Sequence, residues 1–172
     1  MAIMLLRSIG NQIMKSKVLS LSFTIIYITF LMYVVFFARR RRHMTERFLN
    51  LVPIKNAFNE FIHIGTNEHN ELYNFCANIL GNIALFIPLP ASLILVFKIK
   101  NSKIIFFMSF FLTVLIEAIQ YTFKIGVADI DDILLNTLGA TLGIFIVRKK
   151  GFCAIIAYFN SSIRQVCNHT IL

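Results

Sequence analysis

The sequence predicts an all-α, polytopic membrane protein with four transmembrane helices and interfacial helices at its termini. Three observations carry that prediction. Hydrophobic residues fill 58% of the 172 positions and charged residues only 15%, whereas soluble domains sit near half apolar and a quarter charged. The apolar residues come in four long blocks, and mean hydropathy is +0.75. The Lys and Arg residues behind the net charge of +9 cluster at the ends of those blocks. That is where membrane proteins keep them, facing anionic head groups. This placement makes the lipid bilayer the partner and argues against nucleic acid, which basic proteins otherwise often bind.

Residues 1–17, with Arg7, Lys15 and Lys17, read as a short amphipathic segment on the interface. The first block, 18–37, carries no charge and spans about 30 Å, the thickness of the hydrocarbon core. It runs into four arginines at 39–42 instead of a small-residue cleavage site, so it reads as an uncleaved anchor. A polar connection, 38–74, holds Arg47, Asn50 and Pro53, and long ordered loops of this kind are often functional. The second block, 75–97, is interrupted by Asn78, Gly81, Asn82, Pro88 and Pro90, which predicts a kinked helix. The third, 104–123, carries Glu117 and Gln120, and a tight loop at 124–132 leads to the fourth, at about 130–147. The transmembrane domain is therefore 18–150. The tail, 151–172, is apolar only to Phe159, too short to span, and is assigned to the interface.

Orientation follows from the positive residues. With the N-terminus inside, ten of the 17 Lys and Arg residues fall on the inner side, although the arginines at 39–42 pull the other way. Both termini are then cytoplasmic. Cys76, Cys153 and Cys167 form no CxxC pair, and His43, His63, His69 and His169 show no ligand spacing. These residues imply no metal and no cofactor.

The polar residues inside the blocks carry the functional information, because a lipid-facing position would not tolerate them. Glu117 lies six residues from the end of the third helix, Asn82 seven into the second, and Asn136 six into the fourth. Each is thus about 9 Å deep. Alternating crossings bring the end of the third helix to the membrane face where the second and fourth begin. Asn78, Asn82, Glu117, Gln120, Asp132 and Asn136 then share one layer. Spacings of four (Asn74, Asn78, Asn82), three (Glu117, Gln120) and four (Asp132, Asn136) give each helix a single polar stripe. The plain alternative is that these groups only fix helix packing, and Asn74 reads as a solvated helix start. Gly139 and Gly143 form a GxxxG pattern suited to close packing. The stretch FFMSFF at 106–111 reads as lipid-facing or core.

Four segments resemble the VanZ-like family of bacterial membrane proteins, named after a teicoplanin resistance protein. They are RFLNLVP at 47–53, NILGNIALFIPL at 78–89, EAIQ at 117–120 and DIDDILLNTLG at 129–139. They look like the family's R-x-x-N-L-x-P, N-x-x-G-N-x-x-x-F-x-P-L, E-x-x-Q and D-x-D-D-x-x-x-N-T-x-G patterns, in order, over about 45–147. Many members carry an Arg near Gly126, where this chain has Val127 and Ala128; if that Arg handles an anionic ligand, Lys124 or Arg47 must substitute, or the ligand differs. The resemblance implies a four-helix domain in the bacterial cytoplasmic membrane and a link to the cell envelope or to glycopeptide tolerance.

Three functions remain open. In the first, the polar layer near the outer face binds a lipid-linked or cell-wall-related ligand, using Arg47, Asn50, Asn78, Asn82, Gln120, Asp129, Asp131 and Asn136. In the second, the site is catalytic, with Glu117 as general base and Asp132 ionised beside Arg47, two carboxylates in different environments. No nucleophile elbow, metal-ligand set or phosphate loop accompanies them. Asp129, Asp131 and Asp132 suit a hard cation or, equally, a helix cap. In the third, the protein is a structural or partner-binding subunit. Four helices enclose too small a pore for transport unless the chain oligomerises.

Overall fold

The computed structural model describes residues 2–38, 49–53, 71–99, 101–149 and 152. Helix α1, Ala2–Tyr33, continues into a π-helical segment, Val34–Ala38. A two-residue strand β1, Leu49–Asn50, precedes α2, Glu71–Phe86, and α3, Leu89–Phe97. Helix α4, Ser102–Phe123, leads through a second short strand, β2, Ala128–Asp129, into α5, Ile130–Arg148. Four stretches are long and apolar enough to cross a membrane: Met14–Phe37, Phe75–Phe97, Ser102–Phe123 and Ile130–Arg148. The expected class, an all-α multi-pass membrane protein, stands.

Residues 1–17, expected as an interfacial helix, are helical from Ala2 and continuous with the first span. Helix α1 runs through Lys17 and Val18 without a break, because nothing there except Gly10 opposes helix and no proline interrupts it. Its 32 residues extend about 48 Å, well beyond one hydrocarbon core. The proposed interfacial tail lies outside the described residues apart from Phe152.

The second span breaks where the prolines predict. Pro88 and Pro90 have no N–H to continue the α2 ladder, so the chain turns at Ile87–Pro88 and restarts as α3. Carbonyls in the last turn of a helix lack intrahelical partners, and inside lipid each must find one. The Leu85 carbonyl finds it in α1, accepting a 3.0 Å bond from the Tyr27 hydroxyl. Helix α4 starts on Asn101, whose side chain accepts from the Lys103 N–H at 2.9 Å, and ends on Lys124 in a left-handed conformation, φ 54°.

The polarity is inverted relative to a soluble bundle. Asn82, Ser109 and Thr113 are fully buried, while Phe30, Phe107, Phe111, Leu115 and Phe145 are exposed. Within FFMSFF, Phe107 and Phe111 thus face outward and Ser109 inward. Ser109 and Thr113 are satisfied within their own helix, Ser109 donating to the Ile105 carbonyl and Thr113 to that of Phe110. Longer polar side chains bond between helices instead.

Helix α5 is the hub, packing on α2, α3 and α4. Gly139 and Gly143 make this possible: a Cβ on Gly139 would collide with the Ile83 carbonyl, and one on Gly143 with the Ile87 carbonyl and the Pro90 ring. The GxxxG face is therefore the α5 contact with the second span. Replacing Gly143 with Leu should destabilise the bundle by about 1–3 kcal/mol or more, as overpacking does. Melting in detergent checks this, with Leu138→Ala, at an outward-facing position, leaving the transition nearly unchanged.

Candidate functional site

The four spans enclose a small recess. Its polar lining comes from Asn82 of α2, Glu117 and Gln120 of α4, and Asp132 and Asn136 of α5. The π-helical end of α1 contributes Val35, and Leu85, Phe86 and Ile116 complete apolar walls. The cavity is small, about 10 Å³, room for roughly one water-sized group, and its mouth is partly open to the outside. Side-chain depths of six or seven residues put it about 9 Å below one end of the bundle.

Hydrogen bonds hold these groups together across helices. Asn82 Nδ2 donates to Asp132 Oδ1 at 2.5 Å, joining α2 to α5, and also lies 3.4 Å from Asn78 Oδ1. Gln120 Nε2 donates to the Val35 carbonyl at 3.1 Å, joining α4 to the end of α1. Glu117 Oε2 accepts the Asp129 N–H at 3.1 Å, joining α4 to the entrance of α5. Asn136 differs from all of these: its side chain is buried, and Oδ1 has no hydrogen-bond partner among the described residues.

The acidic run divides its labour. Asp129 caps α5, accepting from the Asp131 N–H at 3.0 Å, and Asp131 and Asp132 occupy the first turn, where the helix dipole favours negative charge. The Asp129 carboxylate also accepts from Asn50 Nδ2 at 3.0 Å. That contact rests on a parallel pairing of β1 with β2, Leu49 opposite Ala128 and Asn50 opposite Asp129. Asp132 meanwhile bonds Asn82 inside the recess. Asp129 and Asp132 thus serve different partners, and among the described residues no cluster of three acidic, His or Cys side chains is disposed to hold a metal.

Of the residues singled out from the sequence, Asn82, Glu117, Gln120, Asp132 and Asn136 line the recess. Asn78 adjoins it through Asn82, and Asn50, Asp129 and Asp131 form the strand-and-cap layer at the start of α5. Arg47 lies outside the described residues. Sequence reasoning missed Val35 and Tyr27. Both belong to a line of buried residues on α1, Tyr27, Leu31 and Val35, spaced four apart, and a tyrosine on such a line was the available signal.

The bonds predict opposite stability effects. Gln120→Leu strips the buried Val35 carbonyl of its donor and should cost about 1–3 kcal/mol. Asn136→Leu removes a buried acceptor that has no partner, so its melting transition should equal or exceed wild type. Parallel thermal melts in detergent check both.

No curated protein and no solved structure matches the chain. A family model does: that described as VanZ/LLP1 matches residues 23–156, a stretch that includes every recess residue from Val35 to Asn136.

Proposed function

This chain belongs to the VanZ/LLP1 family, and from that premise we propose that it holds the polar head of an envelope-related ligand in the four-span recess. The observation carrying this reading is that all four spans contribute to one polar recess inside an otherwise apolar bundle. Polar groups at such depth are unfavourable unless they serve a purpose, and a head group entering there leaves its apolar part against the outer helix faces. The protein sits in the bacterial cytoplasmic membrane with both termini inside, as the distribution of Lys and Arg favours. The recess then opens toward the envelope side, where a lipid-linked or cell-wall-related molecule reaches it, and Arg47 meets the ligand's anionic part. Glycopeptide tolerance, teicoplanin tolerance in particular, is the cellular phenotype this role would support.

A second reading has its own observation in favour: two carboxylates, Glu117 and Asp132, face one cavity, the arrangement acid–base chemistry uses. Glu117 is engaged by the Asp129 backbone, which suits a positioned group as well as a base.

The experiment is teicoplanin susceptibility of a deletion strain complemented with wild type, Asn82→Ala or Glu117→Gln at matched membrane levels. Binding predicts rescue by wild type and loss of rescue with Asn82→Ala. Equal rescue by wild type and Asn82→Ala would sink the site. Loss with Glu117→Gln, together with conversion of an envelope lipid by purified wild type, would favour catalysis.

A further inference from the structure

We infer that Asn50 is a positioning residue for the recess: it fixes the Asp129 peptide, whose N–H holds Glu117. This goes beyond the binding reading, since it holds whether the recess binds or catalyses. It also brings the polar connection after the first span into the site.

Glu117 is a buried carboxylate, and the oxygens of such a group need donors in fixed places. The Asp129 N–H is one such donor, 3.1 Å from Oε2. A backbone N–H lies in the plane of its peptide, so it aims only as well as the Asp129 backbone is held. That backbone is extended, φ −123° and ψ 124°. It pairs with β1 only through Leu49 with Ala128 and Asn50 with Asp129. A strand pair this short does not hold itself in place.

Asn50 supplies what the pair lacks. Its Nδ2 donates to Asp129 Oδ1 at 3.0 Å, the same oxygen that accepts the Asp131 N–H and caps α5. Its Oδ1 accepts from the Val52 N–H at 3.3 Å. A carboxylate only accepts and a backbone N–H only donates, so the two partners together fix which way the amide faces. The position needs a donor and an acceptor side by side on one short side chain, and asparagine provides both.

The pair can be reversed, which supplies the test. Asn50→Asp leaves two carboxylates with no donor between them. Asp129→Asn keeps an amide oxygen that both accepts from Asn50 and caps α5. The double variant restores every bond with the donor on the opposite strand. The readout is the Glu117 carboxyl band in the infrared spectrum of the full chain in detergent, with isotope-labelled glutamate. The spectrum of each variant's Glu117→Gln counterpart is subtracted. Asn50→Asp should shift the band, Asp129→Asn should shift it little, and the double variant should return it to the wild-type position. Ile105→Ala, which opens the buried core at the other end of α4, should lower the melting temperature and leave the band in place. A band unmoved by Asn50→Asp, not restored by the double variant, or displaced as far by Ile105→Ala overturns the inference. The binding reading is judged separately, in cells: full rescue by Asn82→Ala removes it, while the band still decides the role of Asn50.

Discussion

The bond from Asn82 to Asp132 is the constraint on which the rest of the arrangement depends. An amide and a carboxylate inside an apolar bundle must find partners within the protein, because lipid supplies none. For these two to meet, the second and fourth spans must run side by side at close range. The seam shows how this is achieved. Asn82 faces Asp132, Ile83 faces Gly139 and Ile87 faces Gly143, so residue numbers rise together along both helices and the two spans are parallel. The glycines let the backbones touch, and the polar pair sets the register at the end where the recess lies. Glu117 and Gln120 then complete the layer from α4, which crosses in the opposite sense.

Much of this layer was legible in the sequence because it follows from two regularities. A helix rises a fixed distance per residue, and successive spans alternate in direction. Counting residues from the block ends was therefore enough to put Asn82, Glu117 and Asn136 at one depth. The four short segments that carry the resemblance also contain every polar residue that lines the recess. What remained hidden depends on contacts between residues far apart in the chain. The bond of Tyr27 to Leu85, that of Gln120 to Val35 and the pairing of Asn50 with Asp129 each link different elements. No local pattern announces them. The π-helical turn at Val34–Ala38 is similarly silent, since VVFF reads as ordinary apolar helix, and so is the continuity of α1 from Ala2 to Tyr33.

The recess also illustrates a conflict between stability and use. Most polar atoms in the bundle are satisfied, either by their own helix, as with Ser109 and Thr113, or across helices, as with Asn82 and Gln120. Asn136 Oδ1 is an exception located in the cavity lining. A fold selected only for rigidity would have an apolar residue there. On the binding reading proposed above, the Asn136 amide is completed by whatever enters the recess.

A direct polar interaction at the recess ties the second span to the fourth. A double-mutant cycle on Asn82→Ala and Asp132→Ala, read as unfolding free energy in detergent, measures that interaction most directly. A coupling of about 1 kcal/mol or more is expected, in the upper range for hydrogen bonds between membrane helices because the acceptor is a carboxylate. Additivity of the two substitutions to within about 0.3 kcal/mol would contradict it.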